Sequence, residues 1–548
     1  MIKLIKTNPL FNSAPTRSIT SAALIITLAG LISRLMGLLR DSLLASTFSA
    51  GDTLDVYYAA FRIPDLIYNL LILGALSAAF IPIFTSLISK DDKEGAWEMV
   101  NDVLNAAVII IVVLSLIFFA FAPWIMKVIT PGFDPEKINQ VVSLARIMFL
   151  SPLLLGISGI FGGVLTSFKR FLVYSIAPLF YNLGIIIGIV FFVKFMGPKG
   201  LAWGVVFGAL LHAMFQYPAA RNLGYRYHWP KFNFWRNKQL KRVVRLMIPR
   251  TLGIAVSQVN LMIITIFASL LASGSLAIFN LAQNLQGVAL GLFGSSFAIA
   301  VFPNLSAMHA KGDKENFVKD FSKTMRQILF FIIPITIGIL LLRAQIVRVA
   351  LGHGKFDWDS TVLTFQVLAI FTLSLFAQCL VPLLARTFYA MHDTRTPFYV
   401  ALVSEAVNII IVISFIAKYQ IMALAMAFSL AATVQMILLL FLLRTKFDNL
   451  DDKNIIRTVI KISFASILAG IGIQITKYII ASAISIDTFI GIFIQLAASG
   501  LVGVVIFSLV SYLFKLEEFM EFQRAFTKRI FKSRKSITED TSEVSGII

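Results

Sequence analysis

Three charged side chains lie inside or next to the first long apolar segment of the chain. Arg34 interrupts residues 18–39, and Arg40 and Asp41 follow that segment directly. A segment of about 20 apolar residues is long enough to cross a bilayer. An arginine within it costs about 3 kcal/mol on insertion scales, so such a residue usually faces a bundle interior or a water-filled cavity. The three residues therefore predict a path or a binding site for an anion inside the membrane.

The second apolar segment, residues 54–88, repeats this pattern. Asp55 and Arg62 have the same spacing as Arg34 and Asp41, and each pair would share one face of a helix. Arginine suits a diphosphate because its planar guanidinium donates two hydrogen bonds and keeps its proton. The opposing interpretation is internal ion pairing of Arg34 with Asp41 and of Arg62 with Asp55. A binding cavity is favoured because the arginines outnumber the acidic residues in these segments.

Fewer candidate contacts lie in the second half of the chain. Arg250 follows Pro249 at the start of the seventh apolar segment, and the eighth segment carries a polar stripe at helical spacing. The predicted binding residues are Arg34, Arg40, Asp41, Asp55, Arg62, Arg250, Gln283 and Asn284.

Composition indicates what kind of protein holds these residues. Of its 548 residues, 58% are hydrophobic and only 14% are charged, and mean hydropathy is +0.85. Soluble domains are about 25% charged, so we predict an all-α polytopic membrane protein. The net charge of +20 fits cytoplasmic loops and contact with anionic membrane lipids better than nucleic acid binding.

Fourteen segments are long and apolar enough to be transmembrane helices. They are residues 18–39, 54–88, 101–128, 143–167, 171–194, 200–218, 246–271, 276–308, 326–351, 361–387, 397–417, 420–443, 456–481 and 486–514. Lysine and arginine concentrate in the loops that are cytoplasmic when the N-terminus is inside, so we expect both termini in the cytoplasm.

A short internal repeat predicts two halves of the same topology. Residues 80–94 and 301–315 align without gaps, which places the first six spans over the next six. The predicted organisation is a cytoplasmic N-terminal segment 1–17, an N-lobe 18–218, a basic cytoplasmic loop 219–245, a C-lobe 246–443, two further spans within 456–514, and a basic amphipathic and disordered cytoplasmic tail 515–548.

Motifs of catalysis are missing from the sequence. It has no Walker A loop, no GxSxG and no HExxH, its histidines are scattered, and Cys379 is the only cysteine. We therefore predict a transporter rather than an enzyme, without cofactor or metal, driven by a gradient, the membrane potential or mass action.

Several stretches resemble one transporter family, the MurJ (MviN) family of the MOP exporter superfamily. These stretches are residues 33–41 (SRLMGLLRD), Asp55, 61–66 (FRIPDL), 74–82 (GALSAAFIP), Ser257-Gln258, 267–275 (FASLLASGS) and 388–397 (FYAMHDTRTP). Members of the family are lipid II flippases of bacterial cell-wall synthesis, and the resemblance covers about residues 18–515.

This resemblance implies two six-helix lobes that face each other in a V, with two extra C-terminal helices lining a groove for a polyprenyl tail. It implies alternating access to a cationic cavity in the bacterial inner membrane. An undecaprenyl-diphosphate-linked peptidoglycan precursor would pass there from the inner to the outer leaflet. By motif, Arg34, Arg40 and Asp41 fall on first-helix cavity residues, and Asp55 falls on the acid of the second apolar segment.

The chain also departs from the family pattern. Tyr68-Asn69 stands where members have a basic pair, Ile72-Leu73 stands where they have Ala-Glu, and Asn284 stands where many have arginine. Arg62 and Arg250 could compensate for the missing positive charges. These differences affect the predicted identity of the substrate headgroup more than the predicted fold.

Two alternative functions remain open at this stage. One is a flippase for another lipid-linked oligosaccharide, since such a substrate also needs cationic residues; a cation-coupled drug exporter fits less well, because cationic drugs favour cavity acids. The other is a non-transporting scaffold of cell-wall assembly, for which buried arginines would be costly. Expected partners are a lipid-linked anionic substrate, anionic membrane lipids and cell-wall synthesis proteins.

Overall fold

The computed structural model describes residues 19–73, 80–229, 237–485 and 487–524, and within these ranges it contains helices and no strand. The prediction of an all-α polytopic membrane protein is confirmed. Some predicted features lie outside the described residues: the segment 1–17, parts of the loop 219–245 and of the tail 515–548, residues 74–79 of one family-like stretch, and the side chain of Arg250.

Twenty α-helices lie between residues 19 and 513, and a further short helix covers the described residues 517–524. In order they are α1 Ile19–Phe48, α2 Asp52–Ala60, α3 Arg62–Tyr68, α4 Ile81–Ser89, α5 Lys93–Ile129, α6 Pro135–Met148, α7 Leu150–Ser167, α8 Phe171–Ile187, α9 Val193–Met196, α10 Lys199–Asn222, α11 Lys238–Ser269, α12 Ser275–Ala289, α13 Ser296–Ala310, α14 Lys314–Leu351, α15 Trp358–Leu373, α16 Leu375–Ala390, α17 Arg395–Tyr419, α18 Ile421–Arg444, α19 Asp452–Ala483 and α20 Phe489–Leu513. π-Helical turns follow α3, α8 and α12 at Asn69–Leu73, Gly188–Phe192 and Leu290–Ser295.

Ten helical runs among the described residues are long and apolar enough to cross a membrane, and an eleventh forms if α15 and α16, bent by 46° at their junction, are one span. The first, second and seventh predicted spans are not among these runs, for which only the described residues count. The seventh is represented by the shorter apolar stretch Ile254–Ser269 of α11, and the second is divided among shorter helices.

The second apolar segment is interrupted, but not within a helix at its prolines. Pro64 and Pro82, at which a bend would be expected, each lie in the first turn of a helix, α3 and α4. Proline is tolerated there because the N–H it lacks has no intrahelical partner in that turn. The breaks come instead at Phe61 and at the π-helical turn Asn69–Leu73.

The chain packs as two units. The first runs to Leu285 and also includes Ala350–Val367 and Asn408–Ala427; the second holds the intervening residues and everything from Phe428 onward. In each unit, large apolar side chains remain exposed, such as Trp124 (69%) in the first and Leu501 (65%) in the second. Such surfaces suit a lipid environment. The lobe boundaries given above stay a prediction.

The two repeated segments fold alike, one in each unit. Asp91 and Gly312 both have positive φ, 58° and 72°, at the turn that joins two helices. The next residue caps the following helix in each case. Asp92 accepts a hydrogen bond from the N–H of Gly95 at 2.9 Å, and Asp313 accepts one from the N–H of Asn316 at 3.1 Å. The sequence repeat therefore corresponds to a shared helix–turn–helix geometry.

Glycines bring α8 and α10 into backbone contact within the first unit. A Cβ on Gly184 would collide with Gly208, and one on Gly188 would collide with Gly204. Small residues four apart allow such close approach between helices in membranes. This packing fixes α8, which carries one of the polar side chains described below.

Substituting Gly184 by valine should therefore destabilise the protein strongly. The added side chain would meet backbone and not a movable side chain, so we expect a cost of about 3 kcal/mol, the upper end of the usual range for overpacking. We expect a lower midpoint of thermal unfolding in detergent. Gly338→Val is the matched control, because nothing lies within 4 Å of a Cβ at that helical glycine; equal midpoints for the two variants would contradict the packing argument.

Candidate functional site

A polar network surrounds Arg40 near the end of α1. Its guanidinium donates from Nε and Nη2 to Asp41 Oδ1, at 3.0 and 2.8 Å, and from Nη1 to Asn182 Oδ1 at 3.2 Å. The other carboxylate oxygen of Asp41 accepts from Asn284 Nδ2 at 2.9 Å. The Arg40 side chain is 22% exposed and that of Asp41 only 4%. The guanidinium of Arg40 is thus held in place by Asp41 and Asn182, and the side chain remains partly exposed.

Three helices position this network. Arg40 and Asp41 are neighbours on α1, Asn182 comes from α8, and Asn284 comes from α12. The amide of Asn182 also donates to the carbonyl of Pro178 at 3.3 Å and to that of Ser33 at 3.4 Å, which fixes its oxygen toward Arg40. The close glycine contacts between α8 and α10 hold α8 in place, and with it Asn182.

Arg62, at the start of α3, is buried with only neutral hydrogen-bond partners. Its Nε donates to Thr265 Oγ1 at 2.7 Å, and its Nη2 donates to Asn280 Oδ1 at 3.1 Å. Its exposure is 8%, and within the part of the chain that the structure describes it forms no ion pair. The carboxylate of Asp65, one turn along α3, interacts electrostatically with Arg62 but accepts no hydrogen bond from it among the described residues. Because a buried charge that is not directly paired is costly, the site would gain from an anionic ligand.

Asp55 on α2 occupies a separate, fully paired position. Its two carboxylate oxygens accept from the N–H groups of Gly274 and Ala277 at the start of α12, at 2.8 and 2.9 Å. Lys137 from α6 lies 3.3 Å from the same carboxylate and also pairs with the exposed Asp52. A carboxylate at a helix N-terminus is stabilised by the helix dipole. Asp55 therefore ties α2, α6 and α12 together.

The predicted residues thus divide into several groups. Arg40, Asp41 and Asn284 form one hydrogen-bonded network, whereas Arg62 and Asp55 each have a different set of partners. The others that the structure describes, Arg34 on α1 and Gln283 on α12, are partly buried. The alternative pairing of Arg62 with Asp55 does not occur.

Four contributing side chains are not among the predicted binding residues: Lys137, Asn182, Thr265 and Asn280. Helical spacing does place Asn280 at the start of the polar stripe of the eighth segment. Asn182 is a single amide inside an apolar segment, which is a weaker indication. Lys137 follows Asp134 and Glu136 and reads as a solvated helix start.

The site has the chemistry of anion binding. Among the described residues, no group of three or more histidine, cysteine, aspartate or glutamate side chains is placed to hold a metal ion. The donors near Arg40 and Arg62 are guanidinium, amide and hydroxyl groups. These suit phosphate oxygens.

Comparisons with known proteins agree with this chemistry. The sequence profile of the family described as "Lipid II flippase MurJ" matches residues 44–495. A "Probable lipid II flippase MurJ" of Buchnera aphidicola subsp. Baizongia pistaciae is 28% identical over 474 residues, which is 85% of this chain and 91% of that protein. The "Lipid II flippase MurJ" of Burkholderia cenocepacia is 28% identical over 386 residues, or 69% and 75% of the two chains.

Solved structures give the same result for the fold. A "Lipid II flippase MurJ, inward closed conformation" superimposes with a TM-score of 0.73 at 25% identity, covering 90% of this chain and 98% of that one. An inward-facing multidrug-resistance MATE transporter of the MOP superfamily gives a TM-score of 0.63 at 13% identity, covering 79% and 99%. The second match concerns the fold alone.

Proposed function

The chain belongs to the MurJ family of lipid II flippases, and we propose that Arg40 and Arg62 hold the diphosphate of its lipid-linked substrate. The function is that of a flippase working by alternating access in the bacterial inner membrane, and the family is one of transporters rather than enzymes. The substrate is an undecaprenyl-diphosphate-linked peptidoglycan precursor, carried from the inner to the outer leaflet.

The observation that carries this proposal is the buried guanidinium of Arg62 with neutral partners. Thr265 and Asn280 orient the side chain but do not neutralise it. A diphosphate accepts hydrogen bonds that Asp65 does not accept from Arg62, and such charge-assisted hydrogen bonds are worth about 1.5–3 kcal/mol each. The position therefore favours the substrate headgroup over a neutral lipid.

Arg40 contributes a second cation whose charge is already shared with Asp41. The carboxylate holds Nε and Nη2, so a phosphate oxygen reaches the guanidinium by competing with Asp41 or with Asn182 at Nη1. Asn284 supports Asp41 from the other side. Because an amide stands where many relatives have arginine, this chain carries one positive charge fewer here. Arg34, Gln283 and Arg250 are proposed to complete the contacts.

Asp55 and Lys137 serve the conformational step in this proposal. With the N-terminus in the cytoplasm, the end of α1 and the start of α6 lie on the outer side of the membrane. The carboxylate of Asp55 at the N-terminus of α12 then holds the outer side closed. Opening outward requires these bonds to break. Both termini are placed in the cytoplasm because lysine and arginine concentrate in the loops on that side.

A headgroup-accessibility assay in proteoliposomes tests the function. Fluorescent lipid II is placed in the inner leaflet, and its exposure to a membrane-impermeant quencher is followed with time. The purified chain should accelerate exposure well above that of empty liposomes. Transport of another lipid-linked oligosaccharide but not of lipid II would support the first alternative, and no transport of either would support the scaffold.

A further inference from the structure

A cavity of about 190 Å³ lies at one end of α19 in the second unit, apart from the arginines discussed above. One wall is a single face of α19. It is formed by four polar residues at helical spacing: Asn454, Arg457, Thr458 and Lys461. The cavity could hold about six waters at about 30 Å³ each. It is therefore large enough for one phosphate group with a few waters.

The opposite wall is the turn that follows α20. Lys515 has a positive φ of 48°, and the N–H of Leu516 bonds back to the carbonyl of Ser511 at 3.1 Å, which closes the helix end. Leu516 is then buried against Phe330 and Ile462. This packing holds the Lys515 backbone at the edge of the cavity.

A short helix, residues 517–524, anchors that turn to α14. Arg326 Nη1 donates to Glu518 at 2.8 Å and to Glu517 at 3.1 Å, and Lys323 pairs with Glu521 at 2.6 Å. The predicted basic tail thus begins with acidic residues that bind α14. Arg326 nevertheless keeps a buried Nε without a hydrogen-bond partner.

The charges that line the cavity are unbalanced. Both lining carboxylates, Glu517 and Glu518, are bound to Arg326, and burial raises the pKa of Glu518. Arg457, Lys461 and Lys515 form no ion pair with any described residue. Among the described residues, Lys461 donates to the carbonyl of Phe514, at 3.2 Å.

The cavity also lies at the depth of lipid headgroups. With its 32 residues, α19 is about 48 Å long at about 1.5 Å per residue, whereas the hydrocarbon core is about 30 Å thick. About 20 residues suffice to cross that core. Arg457 and Lys461 lie within the first three turns of α19, beside the end of α20 at Leu513, so the cavity lies where both helices reach the membrane surface. We propose that this cavity binds a phosphate group at the membrane surface, through Arg457, Lys461 and Lys515.

Native mass spectrometry of the full-length protein tests this proposal, with short-chain phosphatidylglycerol and phosphatidylcholine as probes. The wild type should prefer the anionic lipid, and Arg457→Gln combined with Lys461→Gln should weaken its binding at least about tenfold. Lys453→Gln, on the same helix but outside the cavity, is the matched control and should leave binding unchanged. Arg457→Lys, which keeps the charge, should retain most of the affinity.

The source of the phosphate is decided by competition. Displacement of the lipid by inorganic phosphate would assign the site to phosphate itself, and no displacement would assign it to the lipid headgroup; both results support the site. Arg62→Met should keep the lipid preference, so a failure of the transport proposal leaves this test intact. A correctly folded double variant that binds phosphatidylglycerol like the wild type would overturn the proposal.

Discussion

Replacing Arg62 by methionine should abolish transport while leaving the protein folded in the membrane. Two charge-assisted hydrogen bonds to a diphosphate are worth about 3–6 kcal/mol, so the flipping rate in proteoliposomes should fall at least about 100-fold. Arg62→Lys should recover part of the rate, because lysine keeps the charge but loses the planar pair of donors.

The fold should survive this substitution because the hydrogen-bond partners of Arg62 are neutral. Thr265 also donates to the carbonyl of Leu261 at 2.8 Å, and Asn280 donates to that of Leu276 at 2.7 Å. Both partners therefore keep a hydrogen bond when the guanidinium is removed, and the carboxylate of Asp65 keeps Arg40 as a favourable electrostatic neighbour. Arg146→Met is the control, since that arginine stacks on Phe119 at 4.8 Å from the ring centroid. A normal flipping rate in Arg62→Met would remove Arg62 from the site.

Replacing Asp55 by alanine should also stop transport, for a different reason. The change leaves the N–H groups of Gly274 and Ala277 uncapped and removes the buried partner of Lys137. Breaking a buried charged pair costs about 3–5 kcal/mol. Because this cost falls on one conformation of the cycle, we expect flipping to drop about 100-fold and flippase-depleted cells carrying the variant not to grow.

Asp52→Ala is the matched control for Asp55. Its carboxylate pairs with the same lysine but is 65% exposed, and exposed pairs contribute about 0–1 kcal/mol. Growth and flipping should remain close to those of the wild type. If the two variants behaved alike, the capping of α12 by Asp55 would not be the important contact. Asp55→Asn should be intermediate, because one amide oxygen can still accept one of the two N–H groups.

The sequence predicted that the charged residues of the first two apolar segments belong to a site, because charged side chains are costly in lipid and are usually functional there. The sequence did not predict which residues these charges contact. The spacing of Arg34 and Asp41 indicated one helix face, but the structure pairs Asp41 with its neighbour Arg40. The side chain of Arg40 is long enough to contact its neighbour Asp41. Asn182, which is distant in sequence, also accepts a hydrogen bond from it and so fixes its direction.

Helix existence was predictable, and the positions of breaks were less so. Apolar length identified the spans, but it could not locate the π-helical turn at Asn69–Leu73. Pro64 and Pro82 mark helix starts here, an outcome that proline allows as readily as a bend. Lys137 was missed because a lysine near two acids at a helix start resembles a solvated surface; only tertiary packing buries it against Asp55.

The affinity of the purified chain for a diphosphate-linked lipid tests the central claim most directly. Binding of undecaprenyl diphosphate and of the uncharged undecaprenol would be measured for the wild type and for Arg62→Met in the same detergent. We predict that the substitution weakens binding of the diphosphate by at least about tenfold and leaves that of the alcohol unchanged. Equal affinity of both proteins for the diphosphate would contradict the account.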